Sequence, residues 1–152
     1  MSSNNRVYGQ WKIRVLLAYA GFYFFVYTAR FNHWPTAPLI KDDLSFTYIE
    51  IGLINALLLW GFGVGDLVHG RLAEIYGLRI WLLLGAIGTV LLNWITSFAD
   101  SFITFVIPWT FNGFVNAALW GPGMSLISQW WPRKERGRAL GLIGISSGGA
   151  ML

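Results

Sequence analysis

Two ionisable residues stand at the ends of long apolar runs and are the first places to look for chemistry. Arg30 closes the uncharged stretch from Val15 to Ala29, and Asp66 closes that from Ile51 to Gly65. A guanidinium keeps its charge at any physiological pH, and burying it at mid-membrane costs about 3 kcal/mol on insertion scales and more by simulation. A buried Arg30 must therefore face protein, water or an anion. The alternative is snorkelling: if the helix stops at Phe31, Arg30 stands at its outer end and reaches water cheaply. Apolar residues continue through Trp34, Pro35, Ala37, Leu39 and Ile40, so a longer helix that buries Arg30 is the other reading, and both stay open. Asp66 has three roles open to it: proton carrier, partner of Arg30, or hydrated acid near a membrane edge. A neighbouring arginine lowers a carboxyl pKa and burial raises it, so an anion competing for Arg30 could free Asp66 to take a proton.

The elements that would position these groups are apolar helices. With 55% hydrophobic and 12% charged residues in 152, against about 25% charged in soluble domains, the chain lacks the polar surface of a soluble domain. A membrane helix needs roughly 20 apolar residues, and the uncharged windows Ile80 to Ala99 and Ser101 to Trp131 supply them. Spans are expected at about 13–33, 48–69, 80–98 and 102–129, with a fifth beginning at 139 and cut off at 152. That last stretch is too short to cross, so the chain reads as part of a longer protein; a short complete protein is the alternative. Arg6, Lys12 and Arg14 before the first run have the order of a signal peptide, but no small-residue cleavage site follows.

Basic residues set the orientation, because positive loops stay cytoplasmic. Arg6, Lys12, Arg14, Arg71, Arg79, Arg133, Lys134, Arg136 and Arg138 fall on one side of the spans and only Lys41 on the other. The N-terminus is expected in the cytoplasm and the chain in the plasma membrane. The net charge of +4 is spread between spans rather than gathered on a face, which argues against nucleic acid. There is no cysteine, and no cluster of histidines and acids at metal-ligand spacing. No cofactor is expected.

Two cytoplasmic motifs carry a family resemblance. The segment Gly70-Arg71-Leu72-Ala73-Glu74-Ile75-Tyr76-Gly77-Leu78-Arg79 resembles the glycine, acid, glycine, basic signature joining helices two and three of the major facilitator superfamily. Glu74 stands where aspartate is usual, Ile75 where a base is usual, and Leu78 replaces one of the paired arginines. The segment Trp130-Trp131-Pro132-Arg133-Lys134-Glu135-Arg136-Gly137-Arg138-Ala139 resembles the more specific link between helices four and five in the organophosphate:phosphate antiporters, or sugar phosphate permeases, and the anion:cation symporters. The resemblance covers Val15 to Leu152. It implies an all-α integral membrane fold, the N-terminal half of such a transporter, with four complete transmembrane helices and the start of a fifth. Gly70, Glu74, Gly77, Arg79, Glu135 and Arg136 are then expected to serve coupling or gating.

The same resemblance gives Arg30 a role. In those antiporters a first-helix arginine binds substrate phosphate eight residues before a proline, with tyrosines three and seven positions upstream. Here Arg30 precedes Pro38 by eight, with Tyr27 and Tyr23 at the upstream positions. Their spacing puts the three on one helical face, where hydroxyls and a forked guanidinium can converge on one oxyanion; the other reading of the tyrosines is plain aromatic packing. Asp66 stands where the antiporters commonly carry a lysine, and Ser147 where some carry a histidine. An anion in place of a cation disfavours a doubly charged phosphate and favours a singly charged carboxylate.

Other polar residues read more modestly. His33 and His69 are expected to be solvated or capping at helix ends. Asn112 and Asn116 lie four apart on one face, either lining a cavity with Asn116 as a substrate contact or bonding between helices. Gly61 with Gly65, and Gly144 with Gly148, have the small-xxx-small spacing of close helix contacts, and Gly121-Pro122-Gly123 is expected to bend or loosen its helix.

Together these features point to a secondary transporter fragment for a small organic anion working by alternating access, together with a proton or other coupling ion, a lipid bilayer and a missing C-terminal half. A sensor of the same fold that binds the anion without moving it is the alternative. An enzyme is not expected, since no paired carboxylates, nucleophile elbow or metal cluster shares a face, and no phosphate-cradling loop implies a nucleotide.

Overall fold

A few polar and glycine residues set where each helix starts and stops. The computed structural model describes residues 3–149, and side chains of residues 7–149. Six helices follow one another: α1 (Ser3–Phe31), α2 (His33–Asp43), α3 (Tyr48–Tyr76), α4 (Leu78–Thr96), α5 (Phe102–Trp130) and α6 (Arg136–Gly149). Thr47 opens α3 with a capping box, its hydroxyl accepting from the Glu50 N–H at 3.2 Å while the Glu50 carboxylate accepts the Thr47 N–H at 2.7 Å. The Ser101 N–H donates to the Thr104 hydroxyl at 3.0 Å at the start of α5.

The first span differs from expectation at both ends. α1 begins ten residues before the expected 13, and beyond Phe31 the only break is Asn32, whose φ of −56° and ψ of −28° stay helical. Pro35 has no N–H to offer the Phe31 carbonyl, which accounts for a one-residue interruption rather than an end. α2 therefore prolongs α1 to Asp43, and Arg30 lies within a longer helical path. α3 likewise runs on through Gly70 to Tyr76, so only Gly77, at φ +95°, makes the turn into α4. Gly70 sits inside a helix rather than in the link between helices, because Leu72, Ala73 and Glu74, between it and Gly77, are good helix formers.

α3, α4 and α5 are each long and apolar enough to cross a membrane. Leu59, Trp60, Leu67, Leu83, Ile87 and Trp94 all lie exposed on their outer faces, an arrangement suited to lipid rather than water. The largest interface joins α3 to α5. A Cβ at Gly61 would collide with the Thr110 carbonyl, one at Gly65 with that of Phe114, and one at Gly113 with that of Leu58. Glycine at these three positions lets the two main chains touch. Gly144 and Gly148 do not do the same, since no atom lies within 4 Å of a Cβ at either. α6 instead meets α1 through the Ser146 hydroxyl, which donates to the Ala20 carbonyl, and buries Ala139 and Ile143.

α5 stays helical through Pro122. Proline withdraws one N–H from the ladder, and the Leu119 carbonyl beside the break accepts the Tyr19 hydroxyl at 2.8 Å. Gly123 leaves room for that phenol, which any Cβ there would strike.

Candidate functional site

Arg30 is 5% exposed, which decides between the two sequence readings: it is buried, not snorkelling. Its guanidinium carbon lies 4.0 Å from the ring centroid of Phe62 on α3 and 5.1 Å from that of Phe31. Among the described residues it makes no ion pair, and its Nε has no hydrogen-bond partner. A guanidinium over an aromatic face is held electrostatically by the ring quadrupole without a neutralising acid.

Tyr27 and Tyr23 lie three and seven residues before Arg30 on α1, on the same helical face. Their rings lie 4.8 Å apart, and Tyr23 also packs on Tyr19 and Trp120. Tyr23 is buried and Tyr27 half-buried, so one face carries both the aromatic packing and the guanidinium.

Asp66 stands four residues after Phe62 on α3, one turn along the same face. It is exposed and not ion-paired to Arg30 among the described residues. Its carboxylate lies beside α5 at Gly121, where a Cβ would come 3.2 Å from Oδ1.

Asn116 is spent between helices. Its amide nitrogen donates to the Thr89 hydroxyl of α4 at 3.1 Å and to Asn112 Oδ1 at 2.9 Å, and the residue is 3% exposed. That satisfies the side-chain donors and fits interhelical bonding rather than substrate contact. His69 departs from its expected solvated position in the same way. It is 7% exposed, with Nδ1 accepting the Trp81 indole N–H at 3.1 Å and Nε2 facing the Phe114 carbonyl at 3.1 Å. The indole can only donate, so Nε2 carries the proton and the neutral ring ties α3 to α4 and α5.

The two motifs serve different ends. Arg136 closes α5: its Nε donates to the Trp131 carbonyl and its Nη2 to the Ser128 carbonyl, each at 2.9 Å, a cation where the helix dipole favours one. Glu135 forms an ion pair with Lys12 of α1, whose ammonium also lies 5.0 Å from the Trp131 ring. That hydrogen bond and charge hold the Glu135 carboxyl below its ordinary value. Tyr8 stacks on Trp130 and donates to its carbonyl at 3.1 Å. Glu74, Gly77 and Arg79 line an open cavity facing Ser128 and Gln129 at the inner end of α5, and Glu74 and Arg79 are exposed.

Phe62, Lys12 and Tyr8 were not legible as site or motif partners. Phe62 had one local signal, its place one turn before Asp66; Lys12 and Tyr8 meet residues more than 120 positions away and had none.

Among the described residues the chain is a set of helices, three of them long and apolar enough to cross a membrane, and the chain belongs to the Major Facilitator Superfamily, whose profile matches residues 19–152. It is a multi-pass membrane protein and not an enzyme. Among curated relatives it is 29% identical over 131 residues to the phosphoglycerate transporter protein of Salmonella typhimurium, aligned over 86% of this chain and 28% of that protein. It is 27% identical over 130 residues to a probable hexose phosphate transport protein of Chlamydia pneumoniae, covering 86% and 29%. It is also 28% identical over 134 residues to the membrane sensor protein UhpC of Escherichia coli, covering 86% and 30%. The chain thus spans under a third of the length of these relatives.

Proposed function

We propose that this chain forms the first part of a secondary active transporter for a small organic anion, with Arg30 as the residue that binds the anionic group. The observation that carries the reading is a guanidinium 5% exposed with no acidic partner among the described residues, resting on Phe62 at 4.0 Å. A fixed buried cation without a counter-ion leaves its N–H fork for a visiting oxyanion. Tyr27 and Tyr23 line the same face and supply hydroxyls.

In this reading α1 with α2, α3, α4 and α5 are four complete spans and α6 begins a fifth, one partial N-terminal domain with its N-terminus in the cytoplasm of a plasma-membrane carrier. Helices beyond Leu152 form the opposing half, and the two rock about the site. Gly70, Glu74, Gly77 and Arg79, with Glu135 and Arg136, lie at the inner helix ends where such a motion is gated. An ion gradient drives the exchange or symport. Asp66, one turn from Phe62, sets charge selectivity: a singly charged carboxylate is preferred to a phosphate dianion.

Uptake into proteoliposomes by the protein with its full set of helices tests this. Phosphoglycerate, a hexose phosphate and a sugar-acid carboxylate are the probes. Arg30→Ala should lower uptake by about ten- to hundredfold, the range of a lost charge-assisted hydrogen bond, and Asp66→Asn should improve the phosphate esters relative to the carboxylate. Unchanged uptake by Arg30→Ala overturns the reading. A second reading rests on the likeness to a protein named as a membrane sensor: saturable anion binding that depends on Arg30, without uptake, would establish it.

A further inference from the structure

One buried ionisable group plays no part in the anion site as described. His33, the first residue of α2, is 2% exposed, yet among the described residues neither Nδ1 nor Nε2 has a hydrogen-bond partner. Trp109 of α5 is 3% exposed with its Nε1 equally unpartnered, and the two rings lie 5.4 Å apart. Both line a cavity of about 370 Å³, with Asn32, Thr36, Asn93 and, ten residues along α2, Asp43. Its lining is mixed, with polar groups among apolar ones, and it is roomy enough for water, which completes buried polar groups of this kind. It is open, and is lined by α2, α4 and α5 and by the links that follow α2 and α4.

Arg30 and His33 are three residues apart across helical backbone at Asn32, and both are buried, so they share a face with side chains about 5–6 Å apart at Cβ. The charged and titratable groups around the imidazole are few. Arg30 lies one turn inward on its own helical path and Asp43 at the far end of the cavity; α4 and α5 line it with neutral groups such as Asn93 and Trp109, and α3 contributes no lining residue.

We propose that His33 binds a proton supplied through this cavity, and that the proton and the anion at Arg30 assist each other's binding. The second half rests on the anion-binding reading above. An imidazolium beside a bare guanidinium is opposed by repulsion; an oxyanion on Arg30 removes that opposition. By linkage, the proton raises anion affinity by the same factor as the anion raises proton affinity. His33 is thus the proton site of an anion symport, and Asp66, exposed on α3, serves charge selection rather than proton carriage.

The protein labelled with 15N-histidine in lipid nanodiscs provides the test, the His33 signals being those missing from His33→Gln. Galactonate, a singly charged sugar-acid carboxylate, is the anion probe because its charge is constant above about pH 5. His33 should titrate between about pH 5 and 8, the range open to small shifts of an imidazole. Saturating galactonate should raise its proton affinity about tenfold, and Arg30→Ala should remove that increase. Galactonate binding should strengthen about tenfold on acidification in the parent and become independent of pH in His33→Gln. An imidazole that does not titrate between about pH 4 and 9, a titration unmoved by bound galactonate, or an unchanged pH dependence in His33→Gln would each overturn the proposal. No galactonate binding at any pH, with His33 still titrating, would sink the anion site and leave the proton site standing.

Discussion

Arg30 rests on Phe62, and among the described residues no acid pairs with it, so under the proposed reading no oxyanion of those residues competes with an incoming anion for its N–H groups. The ring also fixes where the guanidinium sits, which makes Phe62 a positioning residue. Phe62→Leu should weaken anion binding by about tenfold, about 1–2 kcal/mol for a desolvated cation–π contact, while Phe62→Tyr keeps it; isothermal titration with each variant reads the difference. Arg30 itself was legible in the sequence, because a lone charge after fifteen uncharged residues has few cheap places to be. Its burial was not, since that turns on whether the helix passes Pro35, and a proline in the first turn is compatible with either outcome. The burial of His33 followed from the same ambiguity. His69 was misread for a different reason: its partners, Trp81 and the Phe114 carbonyl, come from other helices, and only packing brings them near.

Among the helices, α3 and α5 form the tightest pair, and its glycines have unequal duties. Gly61→Leu would drive a side chain into the Thr110 carbonyl, an overpacking that should cost about 1–3 kcal/mol and lower the thermal unfolding midpoint in detergent. Gly144→Ala, with nothing within 4 Å, should leave that midpoint unchanged. Sequence spacing nominated both glycine pairs with the same motif, and spacing alone says nothing of which face meets a neighbour. Helix boundaries followed a similar division. The expected starts at 48 and 102 coincide with Tyr48 of α3 and Phe102 of α5, where capping residues just before each helix are local signals. The inner end of α3 was placed seven residues early, at 69 rather than Tyr76, because charge was taken for loop where the helix continued.

At the scale of the whole molecule, the inner ends of α1, α5 and α6 are fastened by the Lys12–Glu135 ion pair, the Tyr8–Trp130 contact and the Arg136 cap. Lys12 depresses the Glu135 carboxyl from its ordinary 4.5. A depressed carboxyl adds stability above its unfolded pKa and loses it as pH falls through the lower folded value. The fastening should therefore hold at neutral pH and loosen below about pH 4, read as a longer spin-label distance between the start of α1 and the α5–α6 link. Glu135→Gln should show the longer distance at neutral pH and no further change on acidification. At the opposite end Asn32 donates to Asn93 Oδ1 at 3.2 Å, and one helix pair is stiff along its length. Where Gly61, Gly65 and Gly113 bring main chain against main chain, α3 and α5 have no cushion of side chains on which to slide. Any tilt of either helix must carry the two together as a single spar, and the play has to be taken up at the margins of that unit rather than within it.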